Sequence, residues 1–201
     1  MKYTIKTIDD FSELDLCPLF YVDQYNWGGD YRPHTYGSLA FLPNRGFYVR
    51  MTCEEQNPQR LYTRPNDPVY LDSAMEAFFQ FYPKDRPSCY LSFEVNANGA
   101  LNATYGEDRS HRIPFPPELH CKCLCKSSVF PDYWTMELMI PAEVICFVYG
   151  RSDFHSGDHI TCNFYKIKES EGQTHFGSYT VIQHKEPNFH LTQYFADGIL
   201  E

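Results

Sequence analysis

The chain has 201 residues, a formal charge of −9 and aromatic side chains at 17% of its positions. That length suits one domain, residues 1–201, and the acidic balance excludes a phosphate-backbone binder, which needs clustered Lys and Arg. The N-terminus lacks the apolar core of a signal peptide, and no apolar run nears the roughly 20 residues of a membrane span. The expectation is therefore a cytoplasmic protein with neither nucleic acid nor membrane as partner.

In chain order, residues 1–35 read as an irregular N-terminal segment, with turn chemistry at Asn26-Trp27-Gly28-Gly29-Asp30. A strand follows in which Phe47, Val49, Met51 and Cys53 share one face and Tyr48, Arg50 and Thr52 the other. Residues 54–69 form a loop punctuated by proline. Residues 73–82 satisfy two periods at once. Ser73 and Glu76 fit a capping box, and Met75, Phe78, Phe79 and Tyr82 make a helical stripe. Three aromatics in five residues, then Pro83, favour a strand.

The next strand alternates Cys89, Leu91, Phe93 and Val95 with Tyr90, Ser92, Glu94 and Asn96, and Asn98-Gly99 turns it back through Leu101 to Tyr105. Further alternation predicts strands over 120–126, 134–140 and 160–167, with a short one at Val144–Val148. Short strands separated by turns indicate an all-β fold: an antiparallel two-sheet β-sandwich with few short helices.

The face of residues 76–96 turned from the core carries Glu76, Gln80, Tyr82, Tyr90, Ser92, Glu94 and Asn96. Such a face is costly to bury without partners and suits a ligand with both polar and apolar surfaces, such as a sugar. Tyr70, Tyr90 and Tyr179 offer flat rings; Glu76, Glu94, Asn96, Asn163 and Arg112 offer planar groups for adjacent hydroxyls. The competing reading makes the tyrosines half-buried packing residues and pairs Glu76 with Arg50 across the sheet. His190, ahead of an aromatic-rich end, lines a cleft or caps a strand. Period two puts Cys121, Cys123 and Cys125 on one strand face, a poor arrangement for one tetrahedral zinc and a good one for small apolar groups.

Several segments in succession resemble family 9-like carbohydrate-binding modules of the DOMON-like type. They are Phe47-Tyr-Val-Arg-Met-Thr-Cys53, Val69-Tyr-Leu-Asp-Ser-Ala-Met-Glu76, Tyr90-Leu-Ser-Phe-Glu-Val-Asn96, Trp134–Pro141, Asn163-Phe-Tyr-Lys166 and Phe176-Gly-Ser-Tyr179, then Pro187-Asn-Phe-His190. The resemblance implies a jelly-roll-like sandwich that grips a saccharide, or another polyhydroxylated ligand, between aromatic rings. It places Glu76 as a hydroxyl-binding carboxylate, Tyr70 near one stacking ring and Tyr179 at the second, where many members have Trp. It also implies structural calcium, for which Asp67 and Asp72, or Asp153 and Asp158, are the candidate ligands; no other cofactor is expected.

Three functions compete. One is non-catalytic carbohydrate binding through an aromatic and carboxylate-lined cleft. A second is a glycoside hydrolase drawing on Glu76, Glu94 or Glu137, and a third is an intracellular interaction module that has lost sugar affinity.

Overall fold

The computed structural model describes residues 1–201 and is mostly strand. The strands are β1 (Lys2–Thr7), β2 (Phe20–Tyr21), β3 (Gln24–Gly28), β4 (Thr35–Leu42), β5 (Gly46–Cys53), β6 (Ala74–Gln80) and β7 (Tyr90–Asn96). They continue as β8 (Leu101–Gly106), β9 (Arg112–Pro114), β10 (Cys125–Val129), β11 (Trp134–Pro141), β12 (His159–Lys168), β13 (His175–Ser178) and β14 (Ala196–Leu200). Two short α-helices, α1 (Pro117–His120) and α2 (Ala142–Tyr149), and three 3₁₀ turns complete the chain.

All strands join in one hydrogen-bonded path, β10-β11-β5-β4-β1-β14-β12-β6-β7-β8-β9, with β2 on β4, and β13 on β12 carrying β3. The join is β1. Its first residues run parallel to β14, and Lys6 and Thr7 run parallel to β4. The expected purely antiparallel two-sheet sandwich is thus corrected to a single curled mixed sheet. The N-terminal segment, expected to be irregular, supplies three strands, one of them central. Its alternation is too short and its flanks too polar to register as pattern.

The curl encloses one face of the sheet. Leu39, Val49, Met51, Phe79, Phe93, Met136 and Phe164 come from six strands and meet in one apolar core. Residues 73–82 resolve as strand because both edges of β6 find antiparallel partners, β12 and β7. The apparent helical stripe divides between two faces: Met75 and Phe79 enter the core, while Phe78 packs outside on Tyr90 and Tyr165. The outer face of β6 is covered by the tail, through Ile182 and Phe189. Burial on both faces explains why period two and period 3.6 compete in this stretch.

Two further expectations are corrected. Residues 120–126 are not one strand: Pro116 and Pro117 open α1, and β10 begins only at Cys125. Cys121 is therefore exposed, Cys123 buried and Cys125 half-buried, rather than sharing a face. Val144–Val148 lies in α2, where Val144, Ile145 and Val148 turn inward and Gly150 ends the helix in the left-handed region at φ 76°.

Candidate functional site

Two of the hollows on the outer surface take in candidate residues. The first, of about 260 Å³, lies over β6, β7 and β8. Tyr70 reaches it from the 3₁₀ turn Val69–Leu71, Glu76 from β6, Glu94 from β7, Asn102 and Thr104 from β8. Arg112 enters from β9, Arg109 from the loop before it, and Ile167, Glu169 and Phe176 from the β12–β13 hairpin. Residues 187–190 of the tail form one wall. The Phe189 ring stacks on Tyr165 at 4.1 Å, and Tyr165 donates to the Phe189 carbonyl at 3.0 Å, which fixes that wall to the sheet.

Antiparallel register puts Glu76 directly opposite Glu94. Both are almost wholly buried, at 2% and 7% exposure. Glu94 accepts one hydrogen bond, from Asn102 Nδ2 at 3.1 Å. Burial pushes it up to about 7 against the pull of Asn102 and Arg112. Glu76 lines the hollow with no hydrogen-bond partner. Burial, then Glu94 and Glu169, hold it well above the usual carboxylate range. Two carboxyls so placed cannot both be ionised cheaply, so the pair retains a proton near neutral pH.

Arg112 is held as a platform. Its guanidinium lies 4.0 Å from the centre of the Tyr90 ring, and donates from Nε to Thr104 Oγ1 at 3.0 Å and from Nη2 to Ser92 Oγ at 2.9 Å. Its Nη1 is buried without a partner. Tyr90 Oη lies 2.7 Å from His190 Nδ1. Burial, then the two arginines, push His190 down to about 3, so its ring is neutral. The hollow thus offers aromatic surface from Tyr70 and Phe176, and paired carboxyls.

Of the expected site residues, Tyr70, Glu76, Glu94, Arg112 and His190 converge here. The others do not. Tyr90 is buried beneath Arg112 and His190 and acts as their support. Asn96 serves the hairpin: its Oδ1 accepts from Asn98 and Ala100 N–H, and its Nδ2 donates to Tyr62 O and Asp72. Asn163 is buried against Thr180 at 2.7 Å. Tyr179 packs on the core side with Tyr3, Phe20 and Phe164, because its N–H pairs with the Phe164 carbonyl and Phe164 faces inward. Glu76 pairs with neither Arg50, which meets Asp15, nor any other cation.

Asp67 and Asp72 do not fit a calcium site. Asp72 Oδ2 accepts from the N–H groups of Leu61 and Tyr62 and from Asn96 Nδ2, and Asp67 accepts from Thr63 and Arg64 N–H. Oxygens ringed by N–H donors are arranged for a carboxylate, not for sharing with a cation. Both residues hold the 61–67 loop in place.

Asn102, Thr104, Arg109, Glu169, Phe176, Pro187, Asn188 and Phe189 were not anticipated. The hairpin centred on Asn98 carries the signal for two of them, since it sets Glu94 opposite Asn102 and Ser92 opposite Thr104. Glu137, the third candidate acid, belongs to the second hollow, on the outer face of β4, β5, β10 and β11. There the charges answer one another: Arg50 meets Asp15, and Tyr48 donates to Glu137 at 2.9 Å.

A sequence model described as carbohydrate-binding family 9 matches residues 6–200. Among solved structures, a Bacteroides uniformis protein for which carbohydrate binding has been suggested superposes with TM-score 0.86 at 21% identity, over 100% of this chain and 99% of that one. A family 9 module from Caldicellulosiruptor kristjanssonii in complex with cellotriose gives TM-score 0.68 at 11% identity, covering 100% and 94%. The glucose complex of a family 9 module from the same organism gives 0.69 at 10%, covering 100% and 96%. No curated protein matches. With the match spanning nearly its whole length, the chain belongs to carbohydrate-binding family 9.

Proposed function

We propose that the protein is a non-catalytic saccharide-binding module and that the sugar sits in the hollow over β6, β7 and β8. The observation that carries this reading is Glu76. A carboxyl almost wholly buried, aimed into a cavity and left without a partner inside the chain is expensive unless something outside completes it. Tyr70 and Phe176 supply apolar surface for the C–H face of a pyranose; Asn102, Arg112 and His190 supply polar groups for its hydroxyls. The size is suggestive too. At about 260 Å³ the hollow falls below the roughly 300–1,000 Å³ of typical small-ligand sites, which suits one sugar ring rather than a chain.

The paired acids do not favour a hydrolase. Glycosidase carboxyls flank the scissile bond from two sides. Glu76 and Glu94 are cross-strand neighbours on one sheet face, so both project from the same floor.

Isothermal titration with glucose and cellotriose tests the reading. Binding is expected for the unmodified protein, with a loss of about ten-fold or more for Tyr70→Ala and for Glu76→Gln. Tyr133→Ala, at the second hollow, leaves affinity unchanged. A folded protein that binds neither sugar, or one whose binding responds only to Tyr133→Ala, would overturn the proposal.

A further inference from the structure

Resting on the saccharide reading, we infer that the hollow is built for a sugar carrying a free amine, whose ammonium group is received between Glu76 and Glu94. The two residues stand opposite each other in register, their carboxyls buried on one sheet face, and no cation of the protein forms an ion pair with either. Each nearby cation is committed elsewhere. Arg112 donates to Thr104, Ser92 and two backbone carbonyls. Arg109 lies 3.9 Å from Glu169 and donates to the Pro187 carbonyl. Lys166 points to the opposite face of β12, into a cluster with Ser73, Glu55 and His175.

The lining holds three carboxyls, Glu76, Glu94 and Glu169, and two guanidinium groups, Arg109 and Arg112. Fully ionised, it is one positive charge short. A metal ion is a poor candidate for that charge, because no three acidic, His or Cys groups converge as ligands. An ammonium needs only two acceptors and brings its own hydrogen-bond donors.

The protonation state agrees with this assignment. Glu76 feels Glu94 and Glu169 against Arg109 and Lys166; Glu94 feels Asn102, Arg112 and Arg109 against Glu169. Tyr165, Tyr90, Tyr70 and neutral His190 complete the surroundings. Without ligand, burial prevails and the pair keeps a proton. An arriving ammonium favours the ionised pair, so the proton leaves to solvent and binding strengthens as pH rises from 5 towards 7; above that the ring oxygens, which make the amine less basic, let it lose its own proton and binding weakens again.

Titration of glucosamine, glucose and N-acetylglucosamine at pH 5 and pH 7, in two buffers of different ionisation enthalpy, tests the inference. Glucosamine is expected to bind about ten- to a hundred-fold more tightly than the other two, the range of a charged hydrogen bond in a buried site, with protons released to the buffer. Glu94→Gln should bring glucosamine level with glucose; a circular dichroism spectrum confirms that this variant is folded. Glucose or N-acetylglucosamine binding as tightly as glucosamine overturns the amine preference and leaves the saccharide reading standing. A folded protein that binds none of the three overturns both.

Discussion

Glu94 places an acid where the fold itself prefers the neutral form, and this has a definite sign in stability. Its folded value, about 7, lies above the ordinary glutamate value of 4.5, so the native state holds the proton more tightly than the unfolded chain does. That stabilisation is complete below about pH 4.5 and is lost as pH rises through about 7, amounting to about 3 kcal/mol. Glu76 acts in the same direction. His175 and His190, both pushed down to about 3 by burial, act in the opposite one: their contribution is complete above the ordinary value of 6.5 and fades as pH falls towards 3. Comparing variants separates the two. Glu94→Gln should gain on the unmodified protein between pH 5 and pH 7 in thermal melts and level off above that. Parallel melting-temperature curves across that range would show that Glu94 is not the group responsible.

Elements are tied together by a second buried cluster, beneath the hollow. Lys166 of β12 donates to Ser73 at 2.9 Å at the entrance to β6, lies 2.8 Å from His175 of β13 and 3.5 Å from Glu55 after β5. Trp134 of β11 donates to Glu55 at 3.0 Å. Five segments from both halves of the sheet thus share one closed network. Lys166→Met should lower urea-unfolding stability by about 3 kcal/mol, since it leaves Glu55 buried and charged. Adding Glu55→Gln should restore part of the loss. If the double variant is no better than the single, the two groups are not coupled. At the tail, Tyr165→Phe removes the bond to the Phe189 carbonyl and should speed amide exchange over 187–191 while leaving β6 and β7 protected.

How far elements and site were legible follows from the same geometry. The hairpin turn at Asn98-Gly99 fixes the β7–β8 register, so Glu94 and its neighbours were readable from alternation alone. Tyr179 and Phe176 were not. They are three residues apart and so face opposite sides of the sheet. The side that looks outward is set by pairing with β12, Ile167 opposite Phe176 and Tyr165 opposite Ser178, which no local pattern encodes. Arg109, Glu169 and the 187–190 wall come from loops, whose positions depend on tertiary contacts. The thiols at 121–125 are ambiguous for another reason: alternation from the end of the helical turn that Pro116-Pro117 opens to the start of β10 imitates a strand.

At the scale of the whole molecule, strand pairing joins the two halves of the sheet only through β1, bonded to β4 on one side and β14 on the other. Removing residues 1–7 should therefore abolish cooperative unfolding rather than trim stability, a difference that calorimetry detects as loss of the main heat-absorption peak. A truncated chain that still melts in one sharp transition would mean that the halves close without the strand.

The partner that completes β1 lies some 190 positions further along the chain, since Tyr3 pairs with Gly198 and Ile5 with Leu200. During synthesis β4 becomes available early, but the other margin of β1 stays bare until β14 has been made. Contacts of such long range slow folding, and a bare strand margin invites pairing with a neighbouring chain. Recovery from denaturant should accordingly fall as protein concentration rises, and a short peptide spanning 195–201, supplied in excess, should compete for that margin and reduce the clumping.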